Sequence, residues 1–153
     1  MVVFVESFLS IYECNFFINY YNTESDEPII KGPNHYAKSL IPIQKNTPLR
    51  TNILSDIKYD ILRIHKYDDE CIQSDTYHTH QHSYNLIIYL NDTFTNGRLF
   101  FKNGIVVTPK LGMLVYFNRN EPHMIESCIG DRYVLVGFSN QDMFSYINKK
   151  SLL

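Results

Sequence analysis

The sequence predicts a mainly β protein with a sandwich or barrel architecture and a helical N-terminal third. Two observations carry this prediction. From about residue 58 onward, short apolar segments with strand-like alternation follow one another closely and are separated by turn residues. The clearest helical spacing lies before them, in residues 10–18. Short strands packed closely in sequence after a helical start are typical of β-sandwiches and β-barrels.

The size and charge of the chain narrow the possible partners. A length of 153 residues fits a single domain over residues 1–153. The formal net charge is −2, and lysine and arginine are scattered along the chain instead of clustered. Proteins that bind nucleic acid usually concentrate basic residues on one surface. We therefore expect no nucleic-acid partner, and the composition leaves the oligomeric state open.

The N-terminus and the cysteines predict an intracellular protein. The first residues lack a basic region, and Glu6 and Glu13 interrupt the apolar run, so we expect neither a signal peptide nor a membrane span. Three cysteines form no CxxC motif and leave one unpaired, a pattern that disfavours a disulfide scaffold. We expect a reducing, cytoplasmic location and no association with a membrane.

The N-terminal third is expected to contain one strand and two helices. The apolar residues 2–5 predict an edge strand. Ser10 and Glu13 form the S-x-x-E pattern of a helix capping box. Residues 22–48 carry turn signals with little periodicity, which predicts a loop. A short helix is expected over residues 49–57.

The remainder of the chain is expected to be strands followed by a last helix. Strands are predicted over residues 59–65, 84–90, 98–102, 105–108, 112–117, 124–127 and 132–138. Asn103-Gly104 is the best short hairpin signal, because a type I′ turn needs two residues that tolerate positive φ. Asn140 is expected to cap a helix that runs through Lys150.

Three histidines form a candidate metal site. Residues two apart on an extended strand point to the same face, so His78 and His80 can approach one ion. His123, on a later strand, can supply a third ligand, and imidazole is the commonest ligand for transition metals near neutral pH. An alternative interpretation is that the histidines belong to a polar loop and that His123 is an ordinary hydrogen-bonded histidine.

Several short motifs follow one another in a defined order between residues 84 and 139. They are Tyr89-Leu90-Asn91, the Asn96-Gly97 turn, the Pro109-Lys110-Leu111-Gly112 turn into an apolar strand, and His123 followed nine residues later by Arg132. In order and spacing they resemble the prolyl 4-hydroxylase-like branch of the Fe(II)/2-oxoglutarate-dependent oxygenases. Residues 4–14 resemble the opening strand and helix of the same family. The resemblance implies a double-stranded β-helix, or jelly roll, with N-terminal helices packed on one sheet.

The resemblance also assigns a binding site for 2-oxoglutarate. It places Arg132 and Tyr89 at the far carboxylate of this cosubstrate, and this is chemically reasonable. A buried guanidinium offers a bidentate fork for a carboxylate, and a phenol adds a hydrogen bond. Tyr67 matches a strand tyrosine that lines the same pocket. A core tyrosine with a satisfied hydroxyl is an equally open interpretation of Tyr67.

The metal ligands depart from the family pattern. The family's first two ligands form an H-x-D motif, which does not occur in this chain. The closest position is His78-Thr79-His80, and the rival is Gln73-Ser74-Asp75, which keeps the Asp but loses the His. We prefer His78 and His80, with His123 as third ligand, because glutamine is a poor ligand for Fe(II). Three imidazoles provide no negative charge and could favour Zn or Ni.

The function implied by the resemblance is an Fe(II)/2-oxoglutarate-dependent dioxygenase. Its cofactors would be Fe(II) and 2-oxoglutarate, and its substrate a peptidyl (prolyl-type) group or a small molecule. The missing H-x-D motif leaves a second hypothesis, a catalytically impaired oxygenase-like protein that acts as a binding or decoy module. A cupin-type metalloprotein is a third. It is least favoured because no glutamate occurs in residues 81–90.

Overall fold

The computed structural model describes residues 1–24, 26–49 and 52–151. The strands are β1 (Val2–Val5), β2 (Ile30–Lys31), β3 (Tyr36–Ser39), β4 (Ile61–Tyr67), β5 (Tyr84–Tyr89), β6 (Thr95–Asn96), β7 (Leu99–Phe101), β8 (Val106–Val107), β9 (Leu114–Asn118), β10 (His123–Ile125), β11 (Cys128–Ile129) and β12 (Arg132–Ser139). The helices are α1 (Ile11–Asn19), which continues into a π-helical turn (Tyr20–Glu24), a 3-10 helix (Ile41–Asn46) and α2 (Phe144–Ser151).

Two sets of antiparallel strands face each other. Seven strands form a large sheet in the order β1-β9-β5-β12-β4-β3-β2. The shorter strands form a three-stranded sheet, β10-β7-β8, and a two-stranded ribbon, β11-β6. Buried side chains from the large sheet and the short strands pack together in one apolar cluster. This two-layer arrangement is the predicted double-stranded β-helix, and the fold prediction is confirmed.

Strand alternation gives the large sheet two different faces. On β12, Tyr133 and Leu135 point outward and pack in a cluster that includes Phe17 of α1. Val134 and Val136 point inward, into the cluster between the two layers. Successive strand residues point to opposite faces, so one strand serves both clusters. Because α1 covers the outer face, as predicted, the inner face is left to line a cavity.

The start of α1 follows the predicted capping box. The Ser10 hydroxyl accepts a hydrogen bond from the Glu13 backbone N–H, and the Glu13 carboxylate accepts one from the Ser10 N–H. These bonds satisfy two backbone donors that a helix start would otherwise leave unpaired. Cys14 and Phe17, one turn further on, are fully buried.

The segment predicted as a loop over residues 22–48 contains more regular structure than its sequence indicates. Strand β3 pairs with β4 in antiparallel register, and β2 pairs with β3 at the sheet edge. This prediction was wrong because backbone pairing with β4 stabilises β3, and such pairing depends on a segment distant in sequence.

The helix predicted over residues 49–57 is not formed in its described part. Residues 52–57 form turns, and residues 50 and 51 lie outside the described residues. The backbone carbonyls of Leu54 and Ile57 accept hydrogen bonds from the Gln44 side chain, at 2.6 and 2.7 Å. These carbonyls therefore find partners without helical pairing, while the apolar side chains of the segment are buried in the outer cluster.

Two turn predictions require correction. The hairpin at Asn103-Gly104 forms, but only Gly104 of the two has positive φ. Asn103 instead accepts a hydrogen bond from the Ile105 N–H, in a longer loop than type I′. The last helix begins at Phe144, whose N–H donates to the Asp142 carboxylate. Asn140 does not cap it, because its side chain is occupied by Ser83.

The described part of the chain contains no helix long and apolar enough to cross a lipid bilayer. Its three cysteines, Cys14, Cys71 and Cys128, are buried free thiols. This agrees with the expectation that disulfides do not hold the fold together.

Gly112 joins the entrance of α1 to the large sheet and generates a stability prediction. Its φ is +75°, and a Cβ atom there would lie 2.1 Å from the Leu9 carbonyl oxygen. Its N–H donates to the Tyr89 carbonyl, and its own carbonyl accepts from the Leu9 N–H. We expect Gly112→Ala to lower the free energy of unfolding by more than about 2 kcal/mol, as measured by denaturant titration.

The matched control is Gly104→Ala. Gly104 also has a positive φ, +97°, but a Cβ atom there would meet nothing within 4 Å. The free energy of unfolding of this variant should fall by only about 1 kcal/mol, the cost of a positive φ at a non-glycine residue without a steric clash. Equal losses in the two variants would contradict the role given to the Gly112 contact.

Candidate active site

The backbone brings the His78 segment to the third histidine. His123 is the first residue of β10 and is 2% exposed. His78 and His123 form an isolated antiparallel bridge, with N–H to carbonyl distances of 2.9 and 3.0 Å. Main-chain hydrogen bonds therefore position His78 against His123, 45 residues later in the sequence, and these bonds do not depend on any bound ligand.

The three imidazoles converge. One ring nitrogen each from His78, His80 and His123 lies within 4.8 Å of the other two. The Nε2 atoms of His80 and His123 are 3.1 Å apart. Two imidazole nitrogens bound at right angles, each about 2.1 Å from an ion, would be about 3.0 Å apart. This donor set and its spacing fit neighbouring ligands of one transition-metal ion.

Hydrogen bonding orients the His123 ring for such a role. Its Nδ1 lies 3.0 Å from the Glu121 carbonyl oxygen. A carbonyl can only accept, so Nδ1 carries the proton and Nε2 keeps its lone pair facing the cluster. His82 takes no part: its Nε2 lies 3.4 Å from the Asp60 carboxylate, outside the cluster.

Burial keeps His80 and His123 neutral. It lowers the pKa of His80 to about 4, and the neighbouring rings of His123 and His78 add to the effect. Burial also lowers the pKa of His123 to about 4, opposed by the hydrogen bond to the Glu121 carbonyl. At neutral pH both rings therefore present unprotonated nitrogens, the form that binds a metal.

The rival ligand position at Gln73-Ser74-Asp75 does not approach the cluster. Asp75 is exposed and is not among the groups that converge. Gln73 lines the cavity, but its side-chain amide donates to the Asn34 carbonyl at 2.8 Å. Among the described residues, the converging donors are thus three histidines and no carboxylate, and the geometry favours His80 over Asp75.

A cavity of about 250 Å³ lies between the two layers and contains the cluster. Its lining combines a polar set with apolar strand residues. The polar set is Asn34, His35, Arg63, His65, Tyr67, Gln73, His78, His80, Tyr89, His123 and Arg132. All six residues singled out from the sequence, three histidines and three cosubstrate candidates, thus border one cavity.

Arg132 is a buried cation without an acidic partner. It is 1% exposed, and its Cζ lies 4.0 Å from the centre of the Tyr67 ring. Its Nη1 donates to the Gly97 carbonyl at 3.1 Å, while its Nε is buried with no hydrogen bond. No described carboxylate forms an ion pair with it. A buried charge without a counter-ion is costly, so an anion that enters this cavity would be stabilised here.

Gly97 permits the close approach of Arg132. Its φ is +76°, and a Cβ atom there would lie 2.6 Å from Arg132 Nη1. The Asn96-Gly97 turn, noted in the sequence for its likeness to a family motif, therefore has a physical reason. Any larger residue at this position would displace the guanidinium from the Gly97 carbonyl.

The two tyrosines are neutral hydrogen-bond donors. Burial raises the pKa of Tyr89 and that of Tyr67 above the usual range, although the positive charge of Arg132 opposes the rise in both. Both phenols therefore keep their protons at neutral pH. They can donate hydrogen bonds to an anion in the cavity.

Sequence reasoning missed a second polar group on the cavity wall. His65 stacks on His35 with ring centres 4.0 Å apart, and its Nδ1 lies 3.4 Å from the Tyr67 hydroxyl. Its Nε2 is buried with no hydrogen bond. The signal was present in β4, where alternation places Arg63, His65 and Tyr67 on one face. Polar residues on the inward face of a core strand indicate a site.

Comparison with known proteins supports the fold assignment. No protein-family model matches the sequence, and no curated protein matches it. Among solved structures, a 2OG-Fe(II) oxygenase-family oxidoreductase from Burkholderia pseudomallei is similar, with a TM-score of 0.67 and 14% identity over 92% of this chain and 84% of that chain.

Two prolyl hydroxylases are also similar. One is a Pseudomonas putida prolyl-4-hydroxylase, with a TM-score of 0.59 and 16% identity over 92% of this chain and 93% of that chain. The other is a prolyl hydroxylase from Trichoplax adhaerens in complex with a hypoxia inducible factor peptide fragment. It has a TM-score of 0.59 and 11% identity over 99% of this chain and 86% of that chain. The chain therefore has the fold of the 2OG-Fe(II) oxygenases, prolyl hydroxylases among them.

Proposed function

We propose that this protein is an Fe(II)- and 2-oxoglutarate-dependent dioxygenase whose metal is held by His78, His80 and His123. One observation carries the proposal: three converging imidazoles and the guanidinium of Arg132, which has no ion-pair partner among the described residues, border the same cavity. A metal ion and a carboxylate are the ligands that such groups prefer. The fold shared with oxygenases supports it.

In this proposal the residues of the cavity have separate roles. Arg132 binds the far carboxylate of 2-oxoglutarate, and the phenols of Tyr89 and Tyr67 donate hydrogen bonds beside it. The apolar wall of the cavity limits access of water to the reacting groups. When bound, Fe(II) would supply activation of O2 coupled to the decarboxylation of 2-oxoglutarate to succinate.

For the substrate, we propose hydroxylation of a peptidyl (prolyl-type) group or a small molecule. The likeness to two prolyl hydroxylases, one of them bound to a peptide, supports a peptidyl substrate. The three free thiols fit a reducing compartment, and we propose the cytoplasm.

A second candidate function is a catalytically impaired, oxygenase-like binding module. The specific observation that favours it is the ligand set, since no described carboxylate joins the three histidines. Two histidines and one carboxylate are the usual ligands of non-haem Fe(II) oxygenases. Without the carboxylate, the ion carries its full charge, and other metals such as Zn(II) or Ni(II) compete more strongly.

Metal binding provides the first test. Removing one of three ligands should strongly weaken metal binding. We expect His123→Ala to bind Fe(II) or Ni(II) at least about 100-fold more weakly than the parent, as measured by metal analysis after equilibrium dialysis. His82→Ala is the matched control, because His82 lies two residues from His80 and faces Asp60. If His123→Ala binds metal like the parent, or if both variants lose it equally, the assigned ligands are wrong.

Turnover of 2-oxoglutarate tests the function itself. We expect the parent protein with Fe(II), under air, to form more succinate than His123→Ala. The His80→Asp variant restores a carboxylate at the ion, so its Fe(II) affinity and its uncoupled succinate formation should both rise. Succinate from the variant but not from the parent would support the binding-module candidate. Succinate from neither would contradict the oxygenase proposal.

A further inference from the structure

Arg63 is a second arginine of the cavity, and the proposed cosubstrate site does not use it. It projects from β4 on the same face as His65 and borders the cavity. In the part of the chain that the structure describes, its side chain makes no hydrogen bond or ion pair. An arginine that lines a cavity without a partner is available to a ligand.

Arg63 and Arg132 lie at different positions along the inner face of the large sheet. Arg63 pairs with Val136 of β12, four residues along the strand from Arg132, or about 13 Å at the usual rise per residue. The ring of His80 packs on Phe138, two residues beyond Val136, with ring centres 4.6 Å apart. Arg63 therefore lies nearer than Arg132 to the part of β12 that His80 contacts.

Uncharged polar groups adjoin Arg63. The buried Nε2 of His65, without a hydrogen bond, borders the same cavity, and the His35 ring stacks on His65. Burial and the positive charge of Arg63 lower the pKa of both rings, so they are neutral at pH 7. A ligand group held by Arg63 would find imidazole nitrogens next to it that can donate or accept hydrogen bonds.

The charges around the cavity do not balance. None of the described residues that line it is an aspartate or glutamate. Under the proposed function, a divalent ion, Arg132 and Arg63 would bring four positive charges, and 2-oxoglutarate would bring two negative ones. The three-histidine ligand set, which adds no negative charge, enlarges this difference. Positive charge concentrated in a low-dielectric cavity favours a ligand of opposite sign.

We propose that the substrate carries a carboxylate group and that Arg63 binds it, with His65 and His35 alongside. This inference rests on the proposed function and specifies its substrate class. A guanidinium pairs with a carboxylate through two parallel hydrogen bonds, which would orient the substrate within the cavity that contains the metal ligands. The cavity of about 250 Å³ is small for a ligand site. The carboxylate therefore belongs to a small free acid or to an acidic side chain that reaches in from a peptide.

Binding of neutral and charged probe pairs tests the proposal without turnover. Propionate and propionamide represent the free acid, and N-acetyl-glutamate methylamide and its glutamine counterpart represent the peptide. Their affinities are measured by ligand-observed NMR on protein loaded with Ni(II) and 2-oxoglutarate under nitrogen. The series is then repeated on metal-free protein without 2-oxoglutarate. We expect at least one carboxylate probe to bind on the order of tenfold more tightly than its amide.

Variants assign that preference to Arg63. Arg63→Gln should abolish it, and Arg63→Lys should retain part of it, because the charge remains while the fork is lost. Arg119→Gln is the control for net charge, since Arg119 is exposed and lies outside the cavity. It should behave like the parent. Thermal unfolding of each variant confirms that it is folded.

The outcomes separate this inference from the proposed function. If no carboxylate probe is preferred, or if the preference survives in Arg63→Gln, the substrate inference is wrong even when the protein turns over 2-oxoglutarate. A preference that depends on Arg63 in the metal-free protein would support the inference even if no turnover is found. The probe pair that shows the larger preference distinguishes a free acid from a peptide.

Discussion

The arrangement of the cavity depends on one buried charge, the guanidinium of Arg132. It is 1% exposed, it lies over the ring of Tyr67, and one of its nitrogens has no hydrogen bond. A buried charge without a counter-ion normally destabilises a fold by several kcal/mol, and a well-packed apolar residue at the same position would give a more stable protein. A bound anion would supply the missing counter-ion and lower this cost. Gly97, whose missing side chain leaves room for the guanidinium, is part of the same arrangement.

The jelly roll provides the frame that makes such a site possible. Each central strand of the large sheet sends alternate residues to two separate clusters. The outer cluster, under α1, supplies apolar burial. This burial offsets the cost of placing Arg63, His65 and Arg132 on the inner face. His123 belongs to the opposite layer and pairs with His78, while the ring of His80 packs on Phe138 of the large sheet.

The sequence predicted local features better than distant pairings. The capping box of α1 and most core strands depend on neighbouring residues, and these were predictable. Strand β3 depends on pairing with β4, and the turns of residues 52–57 depend on hydrogen bonds from the side chain of Gln44, and these contacts were not predictable. Within the site, the alternation of His78 and His80 and the motif around Arg132 were visible in the sequence. The stacked pair of His35 and His65 was missed. His35 lies in a loop and His65 on β4, so their contact exists only in the folded chain.

Binding of 2-oxoglutarate tests the central claim, which is that Arg132 binds a carboxylate. Isothermal calorimetry on the Ni(II)-loaded protein should show binding to the parent and to Arg119→Gln. In Arg132→Gln, the binding free energy of 2-oxoglutarate should weaken by at least about 2 kcal/mol, a decrease in affinity of roughly 30-fold. Arg132→Lys should fall between them because it keeps the charge without the bidentate fork. A parent that does not bind 2-oxoglutarate, or an Arg132→Gln variant that binds it as tightly as the parent, would contradict the account.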